Sequence, residues 1–325
     1  QMGNQGASNP LMDMIKGWMD SDKIGKVSKV QIWTNRPVWP QGGAFPKPDP
    51  SNKPSDMEWD LWLGPAPEIP FTPNLHPFNW RGWWDYGTGA LGDVGCHLMD
   101  IPFRMLGLHY PLDAECSVGS VYSQMWTPDY HPDGCPASSF ITLHYGPTAK
   151  NGVPLEMTWM DGGIRPSHPD IIPADHDLGG ANSANGVMMI GEKGIITHNI
   201  NDSSPLMPKL YLYDGTQEFG PDRIAGTEPE YGHQRKWVDA CKAGFGSKEH
   251  QGLTSSFDYA GPMTETVLMG NLAIRSFMLR KPNSKGQQEF FGRRKLLWDG
   301  ENMRITNLEE ANQFVGRTYR AGFEV

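Results

Sequence analysis

Four strand-like segments in the middle of the sequence constrain the fold more than any other feature. Each is an apolar, β-rich run bounded by turn residues, which is typical of strands. The last one holds Glu192-Lys193-Gly194 between two apolar halves and therefore predicts a hairpin. The four segments are AECSVGSVYSQMW, SSFITLHYG, PLEMTWMDGG and GVMMIGEKGIITH.

Helical patterns lie on both sides of these strands. Asn9 and Pro10 suit the start of a helix, apolar residues recur at helical spacing up to Met19, and Gly25 suits its end. The segment KVSKVQIWT follows as a strand. A helix followed at once by a strand is half of an α/β unit. The strand expected before that helix, ending at about QMG, is not in this sequence, which begins with Gln1 rather than Met.

The last third of the sequence predicts two long helices, a pair of short strands and a closing helix. Residues 36–82 are rich in Pro, Gly and Trp and predict a long loop, as does the polar stretch 162–186. The fold class is therefore α+β, with strands in the middle and helices packed on one side. The C-terminal segments are GHQRKWVDACKAG, SSFDYAGPMTETVLMGNLAIRSF, RRKLLWDGENMRITN and LEEANQFVGRTYR.

Composition and charge exclude several classes of function. The chain has 28 basic and 37 acidic residues, a formal net charge of -9, and no basic cluster, so nucleic acid is not an expected partner. No apolar run has the length of a membrane span. The four cysteines are scattered, suit ordinary small apolar positions and do not predict a structural zinc site. Twelve tryptophans, many before residue 85, suit either sugar stacking or the anchoring of long loops.

The segment GTGALGDVGCHLMD contains the pattern G-x-G-x-x-G at Gly87, Gly89 and Gly92. A dinucleotide-binding turn needs a buried strand before it and a helix after it. The preceding segment FNWRGWWDY is aromatic and charged, and Pro102 and Gly107 interrupt the helix that follows. We therefore expect that this turn does not bind a dinucleotide.

Asp93, His97 and Asp100 follow the turn at positions i, i+4 and i+7, so one helix face would carry all three. An Asp one turn before a His can orient the imidazole and raise its basicity, as proton abstraction from a hydroxyl requires. Two other interpretations remain open. Asp93 could cap the helix while His97 is a buried structural histidine, or the three could bind a metal with a further ligand. Candidates for that ligand are His131, His168, Asp170 and His176.

Several long motifs resemble the glucose–fructose oxidoreductase/inositol dehydrogenase (Gfo/Idh/MocA) family, in its C-terminal part. They are WDLWLGPAPEIPF, WRGWWDYGTGALGDVGCHLMD, GEKGIITH, SSFDYAGPMTETVLMGNLAIR and WDGENMRITNLEEANQFVGRTYRAGF. The resemblance implies an α+β domain built on a large open, mostly antiparallel β-sheet with helices on one face. It also implies that residues 1–25 are the end of a dinucleotide-binding domain and that residues 26–325 form a substrate and oligomerisation domain.

The resemblance also implies a function. The family's D-x3-H motif matches Asp93 and His97, so His97 is expected as the general acid/base on a sugar hydroxyl and Asp93 as the residue that positions it. The segment QMGNQG matches the stretch that passes the nicotinamide, so Gly3, Asn4 and Gln5 are expected near the cofactor. Polar and aromatic loop residues around the motif are expected to form the sugar pocket. These are Trp33, Asn35, Arg36, Trp39, Arg81, Trp83, Asp85, Arg165 and His168.

The family's glycine fingerprint and its E-K-P motif, expected upstream of QMGNQG, are not in this sequence. We therefore expect an NAD- or NADP-dependent sugar or glycoside oxidoreductase as the parent protein, with no cofactor bound by this chain and no activity of the chain alone. Two alternatives are an NAD-dependent glycoside-cleaving enzyme and a non-catalytic sugar-binding or assembly module. An open sheet with an exposed apolar face favours a homo-oligomer. A periplasmic or secreted location is implied by resemblance alone.

Overall fold

The computed structural model describes residues 1–178, 185–199, 206–220 and 229–324. In chain order, its helices and strands begin with α1 (Leu11–Asp20), β1 (Val27–Trp33), α2 (Trp59–Leu63), α3 (Gly89–Leu98) and α4 (Asp100–Leu106). They continue with β2 (Asp113–Val118), β3 (Ser139–Tyr145), β4 (Leu155–Met160), β5 (Gly186–Gly191), β6 (Gly194–Asn199), β7 (Leu206–Leu212) and β8 (Gln217–Phe219). They end with α5 (Pro229–Ala243), α6 (Lys248–Gln251), α7 (Phe257–Phe277), β9 (Arg280–Pro282), β10 (Gln288–Phe290), β11 (Leu296–Asp299) and β12 (Arg304–Ile305).

One ten-stranded sheet dominates the architecture, in the order β12-β11-β2-β3-β4-β1-β5-β6-β7-β8. Its only parallel neighbours among the described strands are β1 and β4, which pair from Lys29–Glu156 to Trp33–Met160. All its other neighbours are antiparallel, including the predicted hairpin of β5 and β6. The predicted α+β fold with a large, mostly antiparallel sheet is confirmed.

Alternation along the strands gives the sheet two different faces. Val30 and Ile32 of β1 point into a large apolar core under α1, α3, α4 and α7, which we call the helix-covered face. Trp33, the next residue, points to the other side and packs with a smaller cluster that includes Ile172 from the stretch between β4 and β5. We call this the loop-covered face. Successive side chains of a strand point to opposite faces, so adjacent residues enter different cores.

The first helix shares the helix-covered core with the sheet. Leu11, Ile15 and Trp18 of α1 belong to the same apolar cluster as the strands, and Asn9 accepts a hydrogen bond from the backbone N–H of Leu11 as predicted. The core therefore has no gap at the predicted boundary at residue 25. The assignment of residues 1–25 to a separate dinucleotide-binding domain stays a prediction.

The predicted long loop before residue 82 carries its own small core. Only the short helix α2 and two 3₁₀ turns interrupt it. Trp59 and Trp83 are buried there with Leu75, and the rings of Trp59 and Trp62 stack at 4.6 Å. Several of the early tryptophans thus anchor the loop, which is one of the two interpretations that the sequence left open.

Three local predictions differ from the structure. The helix predicted after the glycine turn is two helices, because Pro102 lacks the N–H that would continue α3 past Met99. The predicted closing helix is only a 3₁₀ helix, Glu309–Phe314, where Asn312 bonds both backbone groups of Ile305. Strands β7 and β8 and the small β9–β10 sheet have no counterpart in the sequence prediction. Part of the predicted loop 162–186 lies outside the described residues.

Candidate functional site

The glycine turn before α3 is packed against the chain itself. In the described structure no strand leads directly into it; a 3₁₀ turn, Asn79–Gly82, does. A side chain at Gly87 would meet the backbone of Arg81 at 2.6 Å, and one at Gly92 would meet the Thr88 hydroxyl at 1.7 Å. Gly89 has a φ of +64°, which favours glycine. These glycines allow close packing, and their surroundings do not fit a dinucleotide pyrophosphate.

Asp93 and His97 lie one turn apart on α3 and share a helix face. His97 is half-buried in the last turn, where the partial negative charge of the helix end favours an imidazolium. Burial lowers the pKa of His97, while the charges of Asp93 and Asp100 act in the opposite direction. His97 is therefore neutral near pH 7 and able to accept a proton, with two carboxylates close enough to stabilise the charge that results.

Asp93 is held from the other side by Arg81. The Arg81 Nε donates to the Asp93 Oδ1 at 2.8 Å, and both side chains are about three quarters buried. The guanidinium also stacks on the ring of Phe78 at 4.2 Å and on that of Trp80 at 4.6 Å. The ion pair and the stacking fix the carboxylate at one edge of the histidine's helix.

Asp100 is fully buried at the start of α4 and belongs to a separate network. It accepts hydrogen bonds from the Arg104 Nη2 at 3.0 Å and from the Tyr259 hydroxyl of α7. Burial raises the pKa of Asp100, and its two donors oppose that effect. The break at Met99 places this carboxylate on a different helix from Asp93. It acts on His97 through its charge.

The N-terminal segment lies on this same side of the molecule. His233 of α5 is buried and bonds the Ser8 hydroxyl at 2.8 Å and the Met2 carbonyl at 2.8 Å. A positive charge on His233 would lower the pKa of His97. Of the residues predicted to contact a cofactor, Gly3 is exposed and Gln5 half-buried.

The side chain of Asn4, the third of these residues, is fully buried. It faces Asp100 and lowers the pKa of that carboxyl, yet neither of its polar atoms makes a well-formed hydrogen bond. The placement of Gly3, Asn4 and Gln5 near a cofactor stays a prediction.

The structure brings Arg81 and Trp39 of the predicted sugar pocket to the Asp93 side of α3. The Trp39 ring lies 5.8 Å from the Arg81 guanidinium and 5.8 Å from the Phe78 ring. Trp83 instead packs in the loop's own core. Asp85 is exposed, and its carbonyl accepts a hydrogen bond from Arg317. Of these four residues, only Arg81 and Trp39 thus lie beside the proposed acid/base pair.

The other predicted pocket residues are not brought to His97. Trp33 is fully buried on the loop-covered face, where it adjoins a cavity of about 380 Å³ together with Arg165 and His168. Asn35 is exposed and Arg36 half-buried just after β1. The alternation of β1 places the Trp33 side chain across the sheet from α3, so these residues form a separate group.

The described residues offer neither a metal centre nor a membrane-spanning helix. They contain no group of three or more His, Cys, Asp or Glu side chains arranged to hold a metal ion. Within the same ranges, no helix combines the length and apolar character needed to cross a bilayer. Tyr259, Arg104 and His233 are the neighbours of the site that the sequence prediction missed. Only the i,i+4 spacing of Asp100 and Arg104 could have indicated one of them.

The fold and site define the chain as an α+β sheet domain with a polar, histidine-containing helix end on its helix-covered face. Residues 17–150 match the family model for the Gfo/Idh/MocA type of the "oxidoreductase family, C-terminal alpha/beta domain". The match covers less than half of the chain and agrees with the resemblance of its motifs to the C-terminal part of that family. No curated protein matches it.

Solved structures resemble the chain only distantly. An oxidoreductase from Sinorhizobium meliloti is 12% identical, with a TM-score of 0.43, over 88% of this chain and 63% of its own. A UDP-N-acetylglucosamine 3-dehydrogenase from Acidithiobacillus ferrooxidans is 10% identical, with a TM-score of 0.44, over 85% of this chain and 62% of its own. An inositol dehydrogenase homolog from Azotobacter vinelandii, complexed with NADH and myo-inositol, is 13% identical, with a TM-score of 0.36, over 84% of this chain and 51% of its own. The chain spans less than two thirds of each, and likenesses this distant carry no argument about activity.

Proposed function

We propose that this chain supplies the substrate-binding and proton-transfer part of an NAD(P)-dependent sugar or glycoside oxidoreductase. One observation carries the proposal: His97 is half-buried at a helix end with a lowered pKa, and two carboxylates act on it. A general base near neutral pH needs this combination of a neutral resting form and a stabilised protonated form. The match of residues 17–150 to an oxidoreductase domain supports the reaction class.

In the proposed reaction, the His97 imidazole accepts the proton of a carbinol hydroxyl. When bound, the nicotinamide dinucleotide would supply the acceptor for the hydride that leaves the same carbon. The new positive charge on His97 is stabilised by Asp93, by Asp100 and by the C-terminal end of α3. On the return path the same imidazolium donates the proton.

Arg81 has a second role in this proposal. Because it holds the Asp93 carboxylate beside the rings of Phe78 and Trp80, which are partly exposed, it leaves a polar edge next to an aromatic face. Sugars fit such an edge, since their C–H faces stack on indole while their hydroxyls take hydrogen bonds. Because Gly87 and Gly92 of the glycine turn pack closely against Arg81 and Thr88, we expect the cofactor's phosphates to bind outside that turn.

The test uses the full-length gene product that contains this sequence, incubated with NAD⁺ or NADP⁺ and a panel of hexoses, inositols and aryl glycosides. We expect turnover of at least one compound, and we expect His97→Gln to reduce kcat about a hundredfold or more. His250→Gln on α6 is the matched control, because it removes an imidazole whose contacts are with Phe245 and Gly246.

The product separates the two activities that the family resemblance leaves open. Net NADH formation indicates oxidation of the sugar, whereas release of the aglycone without net NADH indicates redox-neutral cleavage. Equal rates for His97→Gln and the unaltered protein would overturn the assignment of the base. Unchanged sugar affinity in both Asp93→Ala and His97→Ala, without turnover of any compound, would support a non-catalytic sugar-binding or assembly module instead.

A further inference from the structure

A cavity of about 760 Å³ runs along the outer side of α7, and neither Asp93 nor His97 lines it. Its walls are mainly aromatic and aliphatic. They come from α7, from the segment before α3 and from the C-terminal strands and 3₁₀ helix, and include Trp84, Tyr110, Leu268, Trp298 and Phe314. Ligand sites are typically apolar clefts of this size with a few polar groups that fix orientation.

Arg275 supplies the positive charge of this cavity. Its guanidinium lies 4.3 Å from the centre of the Phe314 ring and 5.6 Å from that of the Trp84 ring. Within the described ranges it takes part in no salt bridge. An arginine held between two aromatic rings and facing an apolar cavity is preorganised for an anion, because its planar donors remain available.

Asn271 lies one helical turn before Arg275 and lines the same cavity. It is 4% exposed, and neither the oxygen nor the nitrogen of its side-chain amide has a hydrogen-bond partner. A buried amide without partners is costly in a folded protein, so it calls for an explanation. A ligand oxygen bound beside Arg275 would satisfy it.

The position of the one carboxylate among the described lining residues limits the choice of ligand. Glu265 accepts a hydrogen bond from the Trp298 indole at 2.7 Å, and burial raises its pKa. It precedes Arg275 by ten residues of α7, a separation of about 15 Å along the helix axis. The negative group of a ligand would therefore sit at the Arg275 end, away from Glu265.

We infer that this cavity binds an aromatic monocarboxylate, with its ring between the tryptophans and its carboxylate on Arg275 and Asn271. A single arginine matches one carboxylate in charge and in the geometry of two parallel N–H···O bonds. The site is independent of the proposed chemistry at His97.

Calorimetric titration of the chain with indoleacetate tests the inference, and its neutral analogue indoleacetamide serves as the matched ligand. We expect one binding site for the acid and an affinity about tenfold or more weaker for the amide, because the charge-assisted hydrogen bonds are lost. Failure of the acid to bind, or equal affinity of the two compounds, would overturn the inference.

Variants give a second, separate test. Arg275→Met should weaken binding of the acid about tenfold to a hundredfold and leave binding of the amide nearly unchanged. Asn271→Leu should weaken binding of the acid several-fold. It should not lower the thermal midpoint of the protein, since it removes a buried side-chain amide that has no partner. Arg280→Met, which alters an exposed arginine stacked on Tyr130, is the control. Equal affinity of Arg275→Met and this control for indoleacetate would also overturn the inference.

Discussion

The two faces of the central sheet contain similar residue types in different situations. On the helix-covered face, the last turn of α3 presents a half-buried histidine near two carboxylates. On the loop-covered face, Trp33 is fully buried in an apolar cluster, at the edge of a cavity that Arg165 and His168 also line. All of these residues are of types that bind sugars, so type alone does not identify a site.

The side chains of β1 point alternately to the two faces of the sheet, and this alternation separates the two groups. Ile32 and Trp33 are neighbours in the chain, yet they belong to different cores. A tryptophan at the end of a strand enters whichever face its position dictates. The comparison therefore predicts that Trp33 contributes to stability, whereas the helix-covered face holds the ionisable groups that respond to pH.

The largest expected effect is on stability at the loop-covered face. Trp33→Ala should lower the free energy of unfolding by about 3–5 kcal/mol, because it leaves a cavity in a closed cluster. Trp126→Ala, at a residue that is 88% exposed, should change it by less than about 0.5 kcal/mol. Urea unfolding followed by circular dichroism measures both. A small loss for Trp33→Ala would mean that this face is not a second core.

The next largest effect is on the pH dependence of stability, and it arises on the helix-covered face. His198 is fully buried without hydrogen-bond partners, and burial lowers its pKa to about 3 from 6.5. The unfolded chain therefore binds a proton that the folded chain does not, and this group costs stability as the pH falls below 6.5. At pH 5 the cost is about 2 kcal/mol. Between pH 7 and pH 5 the unaltered chain should lose stability because of this group. The His198→Leu variant should be spared that loss of about 2 kcal/mol.

A second buried group gives the matched control with the opposite sign. Burial raises the pKa of Asp161 to about 6 from 3.8, so the folded chain binds the extra proton and stability increases as the pH falls from 6 towards 3.8. Asp161→Asn should therefore make acidification more damaging, where His198→Leu makes it less so. The same direction of change in both variants would contradict these assignments.

The smallest expected effect lies at the edge of the proposed site. Arg81 and Asp93 are partly exposed, so a double-mutant cycle of Arg81→Met and Asp93→Asn should give a coupling free energy of only about 1 kcal/mol. The sharper measurement is the pKa of His97 by NMR. Asp93→Asn should lower it, because the Asp93 charge raises that pKa in the unaltered chain. An unchanged pKa would mean that Asp93 does not act on the histidine.

Local patterns predicted most of the central elements, including β1, the β5–β6 hairpin, α5 and α7. They failed where a neighbour decides the outcome. The closing segment has a helical pattern, but Asn312 ties it to β12 as a 3₁₀ helix. At the site, the shared face of Asp93 and His97 followed from their spacing. The contributions of Tyr259 and His233 did not follow from spacing. Tyr259 reaches Asp100 on α4, and His233 acts on His97, only through the packing of helices distant in sequence.

The parallel pairing of β1 with β4 also bears on how the chain is made. β1 ends at Trp33, and its two neighbours in the sheet begin at Leu155 and Gly186. At ordinary elongation rates the ribosome reaches the first of these on the order of ten seconds after β1 has been synthesised. During that interval an apolar strand has neither of its partners. Nascent chains of this protein should therefore depend on chaperones until translation has passed β5.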